Sequence, residues 1–350
     1  MNNPVLGLDI GGANVKYILL NPDEKKVVDM GCIPLWTKKI DILKKTSGVV
    51  KYIVEKTNPE SIALVTSFEI TDKRPVYTLE AFYENILNEF TIPCYTVTED
   101  HAIVEIVTAK ERVSDFIGSA VHGASYIGTH IIDDGVMMLM NSASTIILPI
   151  SRGRYTPISN DKFCTGEARW IGALYTPVEK IVHDGIVNGH TTKLAPYGAH
   201  TIDIFNILNI PQLKQILTLY GIDRKFYPQE DSCWKILHSL ACFHDEINIR
   251  SINQIKIFSL YVYNTILNIV RDMFFQVSSA LHVDPEEIPI IVCGIGKDII
   301  LKKALQEYNI RDLERQVPFP LWSFPEALGS ALAYIEKKRN IHLDLTEVAV

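Results

Sequence analysis

No uninterrupted apolar run in this chain approaches the roughly 18 residues that a membrane span needs, so no membrane partner is expected. No C-x-x-C pair occurs among the six cysteines, Cys32, Cys94, Cys164, Cys233, Cys242 and Cys293. Scattered in apolar surroundings, they read as reduced thiols of a cytoplasmic protein. A dense basic patch is missing too. The one cluster, Lys337-Lys338-Arg339, reads as the solvated end of a helix. With 34 Lys and Arg against 41 Asp and Glu, net charge −7, the chain lacks the clustered cations that nucleic-acid phosphates require. The first residues, Met1-Asn2-Asn3-Pro4, carry no charged segment and lead straight into a strand, so no secretory signal is expected. There is no solenoid repeat and no low-complexity tract.

What is present is globular. Apolar residues make up 47% and charged residues 21% of 350 positions, which excludes a disordered chain or a rod and leaves room for two domains or lobes. Apolar, β-prone runs at 5–10, 15–20 and 26–35 are separated by the turns Gly11-Gly12-Ala13-Asn14 and Asn21-Pro22-Asp23-Glu24, which predicts two consecutive hairpins. A helix over 38–56 follows, then a strand at 61–67, a helix over 78–90, a strand at 94–98 and a helix over 100–110. Three antiparallel strands followed by alternating units imply a mixed sheet with helices on both faces. That order is the one found in the ribonuclease H-like lobe of actin, sugar kinases and Hsp70-type ATPases.

The pattern restarts beyond residue 113. Helical stretches are expected at 114–129, 202–219, 233–247 and 251–281, with a hairpin at 131–140, strands at 144–150 and 288–293, and a closing helix over 326–338. The expected fold is thus a two-lobed actin-like α/β ATPase fold. Lobe one covers 1–113, lobe two covers 114–324, and the closing segment 325–340 is free to pack back on the first.

Four segments suit chemistry. In the first, a strand delivers Asp9 to Gly11-Gly12, whose backbone N–H groups suit an anion-binding nest. Asp9 would hold Mg²⁺ through water, and Asn14 and Lys16 would add donors to the same phosphates; the competing reading is an ordinary hairpin turn. The second is Gly294-Ile295-Gly296-Lys297 after an apolar strand, where amides and a helix start could receive a nucleotide. The third is Asn141-Ser142-Ala143-Ser144-Thr145, with hydroxyls for a phosphate but no carboxylate for a metal; a plain strand pair is the alternative. The fourth, residues 161–177, mixes charge, aromatics and glycine, and its Gly166, Glu167 and Arg169 are candidates to face substrate; the alternative is a capped, solvated helix. Asp100 is a candidate base or a helix cap. Glu69 and Asp72, just past a strand end, are candidate substrate contacts. Cys233, His238, Cys242 and His244 offer only one helical i, i+4 pair, so no zinc site is expected; His122 and His130 read as ordinary helix residues.

Several strings together resemble a known family. LGLDIGGANVKY, Pro34-Leu35-Trp36, ALVTSFEITDK, STIILPI, TGEARWIGALYTPV and FPEALGSALAYI follow one another as in the hydantoinase A/oxoprolinase family. They are most similar to its branch of tetrahydromethanopterin-linked C1 transfer pathway proteins. That branch includes an archaeal methanofuran-biosynthesis enzyme, which joins an aminomethylfuran diphosphate to glutamyl-tyramine. The resemblance implies Mg²⁺ with a phosphate, diphosphate or ATP ligand, a small-molecule substrate, and condensation of an activated diphosphate with an amine or phenol. Two departures stand out. The family's second loop resembles D-x-G-S-T-T-T-D, but its two acids fall here on Leu139 and Ile146, and its glycine on Asn141. Tyr175 stands where the family has an arginine. A small-molecule kinase using Asp100, or a nucleotide-binding protein without catalysis, are the alternatives; homo-oligomerisation is left open.

Overall fold

The computed structural model describes residues 4–35, 42–196, 198–221, 227–241, 249–311 and 316–350. The chain forms two compact units. One holds Met1–Gly135, Leu148–Thr156 and Asp312–Val350; the other holds Val136–Ile147 and Pro157–Arg311.

The first unit is built on strands β1 (Val5–Ile10), β2 (Asn14–Asn21), β3 (Lys26–Pro34), β4 (Ser61–Thr66), β5 (Cys94–Val97) and β6 (Ile103–Glu105), in the order β3-β2-β1-β4-β5-β6. β1 is buried along its whole length, as a strand covered on both faces must be. It pairs antiparallel with β2 and parallel with β4. Val50, Ile53 and Val54 of α1 (Ile42–Thr57) and Leu79, Phe82 and Tyr83 of α2 (Pro75–Glu89), with Phe68 from the segment after β4, form the core under the sheet.

The predicted helix over 100–110 resolves into the tight β5–β6 turn, β6 and the short α3 (Ile106–Ala109). Thr98 and the residues after it fold the chain back before any helix can begin: the Thr98 amide takes the Ala102 carbonyl and the His101 amide takes the Thr98 carbonyl. α4 (Ala120–Ile131) follows. Residues 114–135 belong with this unit rather than with the second lobe expected to start at 114, because α4 lies along α10 (Pro325–Arg339). Small residues make that contact close. A Cβ on Gly329 would sit 1.8 Å from the Gly123 carbonyl oxygen, and one on Gly7 of β1 would sit 2.1 Å from that of Ala327. α10 ends on Asn340 in the left-handed region, with Lys337, Lys338 and Arg339 in its last turn, a capped and charge-complemented terminus.

The second unit repeats the strand logic. Its strands and helices are β7 (Gly135–Met140), β8 (Thr145–Ser151), β10 (Ala168–Arg169), β11 (Asp184–Val187), β12 (His190–Lys193), α5 (Thr201–Ile207), α6 (Leu213–Leu219), α7 (Gln229–Ser239), α8 (Ile249–Leu281), β13 (Ile290–Cys293), α9 (Lys302–Ala304) and β14 (Ile310–Arg311), while the end of β8 from Leu148 and the short β9 (Arg154–Tyr155) that pairs with it belong to the first unit. The sheet order is β10-β8-β7-β13-β14, with β9 on β8. First strand, hairpin partner and parallel neighbour thus recur as β7, β8 and β13, the positions β1, β2 and β4 hold in the first sheet. The helix expected over 202–219 is broken into α5 and α6, since Pro211 cannot continue the first. Of the segment expected to be helical over 233–247, residues 242–248 lie outside the described residues. No helix among the described residues is long and apolar enough to cross a membrane.

Candidate functional site

The turn between β1 and β2 is closed by the Gly11 N–H on the Asn14 carbonyl at 2.9 Å. The amides of Ser67 and Phe68, just after β4, both donate to the Ile10 carbonyl at 2.9 and 3.2 Å, which draws the segment that follows β4 against the glycine turn. The N–H groups of Gly12 and Ala13 make no hydrogen bond among the described residues. Two adjacent donors on a turn are what a phosphate nest needs.

Behind the turn stands a buried charge cluster. Asp9 and Lys16 are opposite each other in the β1–β2 ladder, and Lys16 Nζ lies 3.0 Å from Asp9 Oδ2 and 3.2 Å from Glu326 Oε2. None of the three is more than 3% exposed. Burial, together with the Glu326 charge, pushes the Asp9 carboxyl up to about 7 despite Lys16. Burial would by itself lower Lys16, but Glu326 and Asp9 outweigh it and raise its pKa. The ammonium is therefore a permanent charge, and the cluster holds or releases a proton on Asp9 near neutrality. Sequence reasoning missed Glu326. Its signal was Pro325-Glu326 opening a helix, which put an acid in a first turn.

These residues do not by themselves make a magnesium site. Asp9 is almost inaccessible and shares its oxygen with Lys16. Among the described residues no group of three His, Cys, Asp or Glu side chains is arranged to hold a metal. Asn14 is buried with them. Glu69 is fully buried beside the same sheet edge; its Oε1 accepts the Gly118 N–H at 2.7 Å, while Oε2 meets no hydrogen-bond partner among the described residues. Burial raises the Glu69 pKa against that hydrogen bond. Asp72 accepts the Arg74 amide at 3.0 Å and so closes a turn.

The other predicted residues fall elsewhere, most of them in supporting roles. In the second turn the Asn141 N–H closes on the Ser144 carbonyl at 2.8 Å, the same closure as in the first turn, so Leu139 occupies the place of Asp9. That turn is covered. Ala173 donates to the Asn141 carbonyl, Leu174 and Tyr175 donate to that of Ser142, and the Thr145 hydroxyl donates to the Ile171 carbonyl at 2.5 Å. Ser142 and Thr145 are buried there, with Ser144 half-buried, so the hydroxyls do not form an open phosphate loop.

Gly294 and Gly296 likewise serve packing. Gly294 has φ +79° and a Cβ there would lie 2.5 Å from the Met140 carbonyl oxygen; the Gly296 N–H already donates to that oxygen at 3.0 Å. Lys297 is completely buried. Gly166, at φ +79°, packs against Gln276 of α8. Glu167 is buried as a brace, accepting the Ile158 and Ser159 amides and the Thr165 hydroxyl; only Arg169 of that trio is exposed.

Asp100 is exposed on the β5–β6 turn and takes the Thr98 hydroxyl, a hydrogen bond that lowers its pKa. It lines a cavity of about 590 Å³ in the first unit, walled by the β5–β6 turn, the ends of α4 and α10, and the turn of the β8–β9 hairpin. His130, read from sequence as an ordinary helix residue, is here 3.0 Å from Glu336 Oε2, which also accepts the Tyr126 hydroxyl. Glu336, through its side-chain hydrogen bond, raises the His130 pKa. His101 hydrogen-bonds Ser125 Oγ at 2.8 Å, and burial lowers its pKa to about 4. Asp100 next to His101, and Tyr126 four before His130, were the available signals; only the fold joins them.

No family model matches the chain. A curated protein of Methanocaldococcus jannaschii, (4-{4-[2-(gamma-L-glutamylamino)ethyl]phenoxymethyl}furan-2-yl)methanamine synthase, is 26% identical over 317 residues, covering 87% of this chain and 90% of that protein. Among solved structures, a nucleotide-free acetone carboxylase, described for ATP-dependent acetone carboxylation, matches 95% of this chain and 70% of its own with TM-score 0.60 at 10% identity. A ROK family glucokinase from Streptomyces griseus with glucose and AMPPNP matches 94% of this chain and 98% of its own with TM-score 0.46 at 12% identity. The fold is the α/β fold of the actin-like ATPases, as the strand order implied. The wider hydantoinase/oxoprolinase assignment finds no support; what stands is a distant likeness to the methanofuran-type synthase.

Proposed function

We propose that this chain is a synthase that joins the exocyclic methylene carbon of a furan-methyl diphosphate to the oxygen of a phenol, releasing diphosphate. The single observation that carries this reading is the pair of amides, Gly12 and Ala13, without a partner among the described residues, on the turn whose flanking strands pair Asp9 with Lys16. The similarity to a synthase whose product is a phenoxymethyl-furan amine, across 87% of the chain, supplies the substrate class.

The chemistry divides simply. The Gly12 and Ala13 N–H groups receive the diphosphate oxygens, and fixed donors that meet growing negative charge favour departure of the leaving group. As the methylene carbon–oxygen bond to diphosphate breaks, the phenol oxygen bonds that methylene carbon and gives up its proton. Asp9, raised to about 7 by burial and the Glu326 charge, is the carboxylate of this cluster that can take up that proton, and because it is almost inaccessible the proton reaches it through water. No step is routed through a metal, because the donor set does not fit one.

The test is direct. Incubation with a furan-methyl diphosphate and a phenol such as tyramine should release inorganic diphosphate and form an ether detectable by mass spectrometry. Absence of both products, with the folded protein present, would sink the reading.

A second reading, nucleotide binding without turnover, is favoured by the covered second turn and by Leu139 in place of an acid. It predicts ATP binding in calorimetry with neither hydrolysis nor diphosphate release from the furan ester.

A further inference from the structure

The cavity of about 590 Å³ in the first unit takes no part in that chemistry. Its size lies in the range of small-molecule sites. Its charges are sorted by wall. Glu99 and Asp100 come from the β5–β6 turn, while Arg154 comes from the β8–β9 hairpin and Lys337 from the last turn of α10. The Arg154 and Lys337 side chains make no ion pair or hydrogen bond among the described residues, nor does the Glu99 carboxylate. The floor is different in kind. His101, Tyr126 and Glu336 are locked into one another and their neighbours through Ser125 and His130, with His101 and Tyr126 edge to face at 5.2 Å.

A bare anion would meet two acids here, and a bare amine two cations. A molecule carrying both charges a few bonds apart satisfies both walls. We propose that this cavity binds an amino-acid-type zwitterion, its ammonium toward Glu99 and Asp100 and its carboxylate toward Arg154 and Lys337. The inference stands on the lining alone and does not rest on the ether-forming reaction. If that reaction is correct, the γ-glutamyl end of the related product, whose α-amine and α-carboxylate are free, is of the same class.

Calorimetry on the full chain with L-glutamate and L-phenylalanine tests it, against glutarate, which lacks the amine, n-butylamine, which lacks the carboxylate, and inorganic phosphate. At least one amino acid should bind, and glutarate, n-butylamine and phosphate should each bind roughly tenfold or more weakly, the loss of one charge-assisted contact. Glu99→Gln and Arg154→Gln, both at exposed positions, should each weaken amino-acid binding by a similar factor with melting temperatures unchanged. Gly12→Val should leave amino-acid binding intact while weakening diphosphate binding, so failure of one site is separable from failure of the other. If neither amino acid binds, or phosphate binds as well as they do, or both substitutions are silent, the proposal is overturned.

Discussion

Asp9 and Lys16 face each other across the β1–β2 ladder, their side chains 3.0 Å apart and sealed from water, with Glu326 of α10 closing the other side of the ammonium at 3.2 Å. A single buried cation thus serves two buried carboxylates drawn from the sheet and from the helix that covers it.

Removing that cation should be expensive. Lys16→Met leaves Asp9 and Glu326 facing each other without compensation, and breaking a buried ion pair costs roughly 3–5 kcal/mol. Adding Glu326→Gln should recover part of the loss. Urea unfolding of the three proteins measures both steps; a single variant within ~1 kcal/mol of the parent would show that the cluster does not hold this unit together.

The same cluster sets a pH dependence. Asp9 has a folded pKa of about 7 against an ordinary value of 3.8. Between those values the folded chain keeps a proton that the unfolded chain has released, so this group's contribution to stability falls as pH rises through the window and is flat on either side. Glu69, also raised, acts in the same direction. Asp9→Asn, which stays neutral, should therefore gain on the parent from about pH 4 to about pH 7. A difference between the two proteins that does not change with pH in chemical denaturation would refute the assignment.

Helices α4 and α10 leave no space at their crossing. Gly329→Ala places a methyl group 1.8 Å from the Gly123 carbonyl oxygen, and Gly123→Ala places one 2.4 Å from that of Glu326. Each should destabilise by roughly 1–3 kcal/mol or more through overpacking. Gly48→Ala, where a Cβ meets nothing within 4 Å, is the control and should not lower the melting temperature. Equal melting curves for all three would contradict the close crossing.

Two glycine positions with similar sequence signals should behave in opposite ways. A Cβ at Gly12 meets Thr71 at 3.6 Å, an ordinary contact, whereas one at Gly294 collides with the Met140 carbonyl at 2.5 Å on a left-handed backbone. Gly12→Val should keep the melting temperature within a few degrees and weaken diphosphate binding roughly tenfold or more. Gly294→Val should instead melt well below the parent, a cost of backbone strain and overpacking. Scanning calorimetry and titration of diphosphate read the two effects apart. Reversed outcomes would exchange the roles assigned to these turns.

How far the residues speak for themselves depends on how local the physics is. Strands β1 to β4, the glycine turn after Ile10 and the closing helix were legible, because apolar period, turn chemistry and capping act within a few residues. The strand order carried the fold, since three strands joined by short turns can only pair antiparallel. Asp9 was legible as a strand-end acid beside a glycine turn. Its state was not: the partner that matters, Glu326, lies more than 300 positions away, and only packing α10 on β1 brings it in, desolvates all three groups and moves the Asp9 pKa. The covering of the Ser142 turn by residues 171–175, the conversion of Gly294 from a ligand approach to a packing contact, and the sorting of Glu99, Asp100, Arg154 and Lys337 onto separate walls belong to the same category. Each is a contact between segments distant in the chain, and burial and charge proximity are properties of such contacts, which no local pattern encodes.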